Sequence, residues 1–143
     1  IYTSIQNFTR IRKYDIIISN PPYFVDDLKT TNEQKNIAKH SVALTYNELL
    51  KEISELLTEN GKAFLIVPHF NIPLIQSTAE TEKLFITKLA EVIAVKGKSP
   101  YLGLLQLEKE KKEPAKEAIE IQYADGNFTE QYKELTKEFY LKF

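Results

Sequence analysis

A β-branched run that stops at two prolines governs how this chain can fold. Asp15-Ile16-Ile17-Ile18-Ser19 follows Lys13-Tyr14 without a turn residue. Such a run reads as a short strand buried on both faces of a parallel sheet. Asn20-Pro21-Pro22 cannot extend that strand, because proline has no N–H to give to a ladder. The polar stretch from Phe24 to Lys39 then reads as a loop with at most a helical turn.

The next punctuation is Thr45-Tyr46-Asn47-Glu48, which has the spacing of a capping box and opens a helix. Leu49, Leu50, Ile53, Leu56 and Leu57 fall on one face of that helix, and Asn60-Gly61 is the expected left-handed stop. Ala63 to Val67 is a second buried strand, closed by Pro68. Strand, helix, strand in this order implies a right-handed crossover and a parallel pair. A weaker helix is expected from Ile72 to about Thr81, with Pro73 in its first turn. Leu84 to Val95 reads as a long strand, with a helical alternative over Glu82 to Leu89. After a turn at Lys96-Gly97-Lys98-Ser99-Pro100, Tyr101 to Leu107 reads as its antiparallel partner. A charged loop around Pro114, a short edge strand at Ala118 to Tyr123 and a helix capped by Thr129 complete the chain. Tyr132, Leu135, Phe139 and Tyr140 form an apolar stripe on that last helix, the pattern of a packed terminus. The expected fold is α/β: parallel strands, then an antiparallel edge hairpin, with helices on both faces.

Composition narrows the chemistry. The 143 residues suffice for one domain with a core. There is no cysteine and there are two histidines, His40 and His69, so thiolate and histidine-rich metal sites are not expected. No apolar run approaches the roughly 20 residues that span a bilayer. No signal-peptide pattern opens the chain, and a cytoplasmic location is the expectation. The net charge of −1 neither announces nor excludes a nucleic-acid partner. The chain lacks methionine and opens on strand-like Ile1-Tyr2-Thr3-Ser4-Ile5, so it is expected to be part of a longer protein.

Strand, Asn-Pro-Pro-Tyr, loop is a specific order at the end of a sheet strand, where open α/β folds bind ligands. Two prolines stiffen the backbone just after Asn20. The Asn20 side chain offers an amide oxygen, the Pro21 backbone a second carbonyl, and Tyr23 a planar face. That set suits a flat exocyclic NH2 group. Each acceptor takes one N–H, which draws the nitrogen toward a tetrahedral arrangement and frees its lone pair. The aromatic face fixes the ring. Attack on a methyl group held in line then needs no strong base, because the amine cation formed is itself acidic; positioning and preorganised acceptors lower the barrier.

Asp15-Ile16-Ile17-Ile18-Ser19-Asn20-Pro21-Pro22-Tyr23 resembles the substrate-amine motif of S-adenosylmethionine-dependent amino methyltransferases, and within them the bacterial tRNA1(Val) adenine-37 N6 methyltransferases. Phe24 with Asp27-Leu28-Lys29 is similar to that family's segment after the motif. Asn36-Ile37-Ala38-Lys39-His40 with Leu44 to Leu50 is similar to its next loop and helix, and Tyr132 to Phe143 to its C-terminus. The resemblance implies a Rossmann-like sheet of which this chain supplies the later strands, and a tRNA partner. It implies that Asn20 and Pro21 hold the adenine amine and that Tyr23 stacks on a base flipped from its loop. Pro22, Phe24, Lys29, Lys39 and His40 would surround the substrate. Asn20, Ser4 and Ile5 would lie beside the cofactor. The family's glycine-rich cofactor loop and its ribose-binding acid have no counterpart here, and Ser4 stands where relatives often carry Asp. The chain by itself is therefore expected to be inactive.

Three alternatives stay open. A protein glutamine N5-methyltransferase uses the same motif, since a glutamine amide is also a flat NH2. A DNA adenine methyltransferase does too, but no added target-recognition domain is evident. A non-catalytic RNA-binding domain with the same fold would bind RNA and transfer nothing. Arg10, Arg12, Lys13, Lys29, Lys35 and Lys39 read either as an RNA-facing rim or as ordinary surface charge. His69, just past a strand end, reads as structural.

Overall fold

A computed structural model describes residues 12–21 and 45–139. Its centre is a five-stranded mixed sheet. The strands are β1 (Tyr14–Ser19), β2 (Leu57–Pro68), β3 (Phe85–Val95), β4 (Leu102–Glu108) and β5 (Ala115–Gln122), in spatial order β1-β2-β4-β3-β5. The helices are α1 (Tyr46–Leu56), α2 (Ile72–Thr81) and α3 (Glu130–Thr136), with a 3-10 turn at His69–Asn71.

The expected parallel pair is present: β1 runs alongside β2, with Ile17 opposite Ala63 and Ser19 opposite Leu65. The β3–β4 hairpin is present too, and β4 inserts antiparallel between β2 and β3. The hairpin is not the rim of the sheet, because β5 adds in parallel outside β3.

Thr45 caps α1 as its spacing predicts. Its backbone N–H donates to Glu48 Oε2 at 2.8 Å, and Glu48 N–H donates to Thr45 Oγ1 at 3.2 Å. Tyr46, Leu49, Leu50, Ile53 and Leu56 are buried on one side of the helix. They share one core with Ala63, Leu65 and Val67 of β2, Leu105 and Leu107 of β4, and Ile72, Ile75 and Ala79 of α2. α1 and α2 thus cover the same face of the sheet.

Asn60-Gly61 does not end α1. The helix stops at Leu56, and Leu57, in extended conformation, starts β2 directly. Gly61 lies inside β2, next to an irregular register in which Tyr14 faces Leu57 and Ile16 already faces Lys62. A β-carbon at Gly61 would sit 2.8 Å from Leu57 Cγ and Cδ1 and 2.9 Å from Thr58 Oγ1. Close packing, not a left-handed turn, is what this position requires.

Nor is β1 buried on both faces. Ile17 packs against the core, whereas Ile16 is 63% and Ile18 76% exposed. Side chains alternate along a strand, and α1 and α2 both cover the Ile17 side. The terminal helix differs from expectation as well: it has no buried residue, Leu135 is 54% exposed, Phe139, past the helix end at Thr136, is 85% exposed, and Tyr140 lies outside the described residues. Polar contacts hold it to β5. Buried Thr129 donates to Glu120 O, Gln131 Nε2 donates to Ala118 O at 2.9 Å, and Gln131 Oε1 accepts from Glu120 N at 3.2 Å.

At the end of the sheet where β1 and β2 begin and β4 ends, polar groups satisfy one another. Glu108 Oε1 accepts from Thr87 Oγ1 at 2.9 Å and Gln106 Nε2 at 2.6 Å, and Glu108 Oε2 pairs with Lys112 at 3.0 Å. The lysine bond, helped by the Thr87 and Gln106 donors against partial burial, holds the Glu108 carboxyl below its ordinary value.

Two expectations follow. Gly61→Ala should lower unfolding stability by about 1–3 kcal/mol, the usual cost of overpacking, as read from urea denaturation. A depressed carboxyl pKa adds stability that is complete above the unfolded value near 4.5 and is lost as pH falls through the lower folded value. Denaturation midpoints followed downward from pH 5 or so should therefore fall less steeply for Glu108→Gln than for the parent chain.

Candidate active site

Because β1 and β2 are parallel, their carboxyl ends emerge at one edge of the sheet. β1 ends at Ser19, opposite Leu65, while β2 continues to Pro68. Asn20 and Pro21 therefore leave β1 beside the last residues of β2. Asn20 is exposed and its side chain has no hydrogen bond among the described residues; Pro21 is buried. A proline packed directly after an exposed Asn anchors the backbone and leaves the amide oxygen and N–H2 without a partner among the described residues.

The remaining predicted site residues lie outside the described residues: Ser4, Ile5, Pro22, Tyr23, Phe24, Lys29, Lys39 and His40. Two bases of the suggested RNA-facing rim are described, and they stand at the far end. Arg12 sits over the Tyr14 ring at 5.3 Å and Lys13 is 3.9 Å from Glu59, both at the start of β1. A six-residue strand separates them from Asn20, about 20 Å of extended chain, so they do not rim the same edge.

Other elements reach the Asn20 edge. β4 begins there, since Leu102 pairs with Pro68, and His69 N–H donates to Tyr101 O at 3.0 Å. His69 Nε2 lies 2.8 Å from Glu91 Oε1, a tie from the 3-10 turn to β3 that fits the structural role expected of this histidine. Asn71 Nδ2 donates to Tyr46 Oη at 3.0 Å, fastening the same turn to α1. The β3–β4 turn brings Lys96 and Lys98, with Gly97 at φ +82°. Phe70 and Tyr101 are exposed on this edge. Phe70 carried no sequence signal beyond following the Pro68 stop, and Tyr101 read as one more strand residue.

The described residues do not make a nucleotide-cofactor cradle by themselves. Gly61 abuts Leu57, and Gly103 lies under Ile72, whose Cδ1 would be 2.7 Å from an added β-carbon. Gly97 and Gly126 occupy separate turns. No group of three or more metal-ligating side chains occurs among the described residues. What this edge presents is an exposed amide side chain, Asn20, on backbone held by a buried proline, Pro21.

A sheet of this kind, with a helix crossover and an inserted antiparallel strand, is the class I methyltransferase architecture. It superposes on the crystal structure of a predicted O-methyltransferase from Agrobacterium tumefaciens with a TM-score of 0.64, over 87% of this chain and 51% of that one, at 13% identity. Residues 2–100 match the model of the Eco57I restriction-modification methylase family, and the chain belongs to that family. It is 35% identical, over 90% of its length, to a Bacteroides thetaiotaomicron protein named tRNA1(Val) (adenine(37)-N6)-methyltransferase. It is 36% identical, over its whole length, to a Haemophilus influenzae protein of the same name. The chain spans 54% and 61% of those two relatives.

Asn20 stabilises nothing inside the described fold. Asn20→Ala should therefore shift unfolding free energy by no more than about 0.5 kcal/mol in thermal or urea denaturation. A larger loss would mean that the side chain is a structural tie.

Proposed function

We propose that this chain is the C-terminal, substrate-binding portion of an S-adenosylmethionine-dependent methyltransferase that modifies the N6 amine of an adenine in tRNA. By relationship to the Bacteroides and Haemophilus proteins, position 37 of tRNA1(Val) is the target. One observation carries the reading: an exposed Asn20, unpaired among the described residues, is anchored by buried Pro21 at the carboxyl end of a parallel strand. S-adenosylmethionine supplies the methyl group. Asn20 Oδ1 and the Pro21 carbonyl each accept one N–H of the adenine amine and hold it in the orientation in which its lone pair is free. On this reading Tyr23 and Phe24 serve to cover the ring, Lys29, Lys39 and His40 to bind RNA, and Ser4 and Ile5 to bind the cofactor; all of these lie outside the described residues. No helix of the described structure is long and apolar enough to cross a membrane.

Cofactor binding needs a glycine-rich loop that the described residues do not form. The 143-residue chain alone is thus expected to transfer no methyl group to tRNA, while its fusion to an N-terminal methyltransferase half restores transfer. In that whole protein Asn20→Ala should lower kcat by about 10²–10³, as loss of one preorganised polar contact does elsewhere, and should spare RNA affinity. Normal turnover by that variant would remove Asn20 from the chemistry. Mass spectrometry of tRNA from cells lacking the gene should show a missing N6-methyladenosine. An unchanged tRNA profile with a lost methylglutamine would instead favour the protein-substrate reading. RNA binding without transfer by the whole protein would favour a non-catalytic domain.

A further inference from the structure

The exposed large aromatic side chains of the described residues are unevenly placed. They are Phe70 (76% exposed), Tyr101 (46%), Tyr123 and Phe139. The first three share the edge of the sheet that carries Asn20. β5 runs parallel to β3, so Tyr123, just past its end, emerges there with the β3–β4 turn. Lys96 lies over the Tyr123 ring at 6.0 Å and also pairs with Glu120, which occupies that ring. No described cation covers Phe70 or Tyr101 in this way.

The backbone that carries both rings is tied by hydrogen bonds. Phe70 is the middle residue of the 3-10 turn, and each neighbour is tied: His69 to Glu91 and to Tyr101 O, Asn71 to Tyr46. Tyr101 follows Pro100. Its N–H donates to Val92 O at 3.0 Å, and its carbonyl receives the His69 N–H. The main-chain bond between residues 69 and 101 holds the two aromatic positions on adjacent backbones. Lys98, exposed in the turn before Tyr101, makes no ion pair among the described residues. Exposed rings on anchored backbone beside an uncommitted ammonium form the combination that binds single-stranded nucleic acid: flat faces for bases, a cation for the phosphate between them.

We propose that Phe70 and Tyr101 are stacking platforms for the unpaired RNA bases flanking the target adenine, with Lys98 on the intervening phosphate. This rests on the tRNA reading above and adds residues outside the Asn-Pro-Pro-Tyr motif. The two rings position the strand, so that the flipped base arrives at Asn20 with its neighbours held.

The experiment uses the whole methyltransferase and an unmodified RNA stem-loop whose single-stranded loop contains the target adenosine. Phe70→Ala and Tyr101→Ala should each weaken RNA binding by about tenfold and raise KM by a similar factor, the usual scale for one base–aromatic stack. Saturated kcat, S-adenosylmethionine affinity and melting temperature should stay at parental values. Phe70→Trp and Tyr101→Phe should keep binding. The chain has no tryptophan, so Trp at position 70 adds a fluorophore that the RNA loop should quench. Lys98→Ala should reduce the slope of log affinity against log salt by about 0.7. Alanine variants that bind RNA like the parent would overturn the stacking assignment while leaving the methyltransferase reading intact. A parent protein that neither binds nor methylates the RNA would take down both. If Phe70→Ala lowers melting temperature or cofactor affinity instead, then Phe70, with half-exposed Leu74 one turn on, is an apolar seam covered by protein, and the proposal is wrong.

Discussion

The parallel pairing of β1 with β2, clamped by α1, decides where Asn20 and Pro21 end up. Leu49, Leu50 and Ile53 of α1 lie against Leu65 and its neighbours, and Ile17 is drawn to the same side. A slip of one residue in the β1–β2 register would turn Ile17 out and Ile16 and Ile18 in, so burial of one face specifies the pairing. Once Ser19 is opposite Leu65, Asn20 must leave the sheet at the end where β2 also finishes and β4 begins. The position of a candidate amine-binding Asn is thus a consequence of core packing some distance away from it.

The two ends of the sheet use their polar groups differently. At the end where β1 begins, Asp15 accepts from Thr58, Glu59 pairs with Lys109, and Glu108 is satisfied by Thr87, Gln106 and Lys112. At the other end His69 is tied to Glu91, Asn71 to Tyr46 and Lys96 to Glu120, while Asn20, Phe70, Tyr101 and Lys98 face outward from the described residues. Internal pairing at one end favours a stable rim. Outward-facing groups on anchored backbone at the other are what a binding surface needs, since rigid mounting lowers the entropy lost when a ligand docks.

Much of the fold was legible along the chain because local signals and long-range packing agreed. The Thr45–Glu48 capping box, the Ile72 helix with Pro73 in its first turn, the Gly97 turn and the Thr129 cap all form where residue chemistry places them. The misreadings share one cause. Asn60-Gly61 has the chemistry of a helix stop, but β2 pairing recruited the residues from Leu57 onward and left Gly61 to serve close packing. The isoleucines of β1 have the composition of a doubly buried strand, but α1 and α2 both chose the Ile17 side. The stripe on α3 has helical spacing, but Thr129 and Gln131 fasten that helix by polar bonds to the β5 backbone. Periodicity records which side chains share a face; it does not say whether another element covers that face.

The sequence by itself determined most element types and the proline stop after Ser19, and it singled out Asn20-Pro21-Pro22-Tyr23 as a candidate amine-binding segment, because these depend on contiguous residues and on the geometry of proline. Only the tertiary structure decided that β5 lies outside the hairpin, that Arg12 and Lys13 are remote from Asn20, and that Phe70 and Tyr101 share its edge. Those relations join residues tens of positions apart through main-chain pairing and a common core, and no local pattern encodes which strands become neighbours.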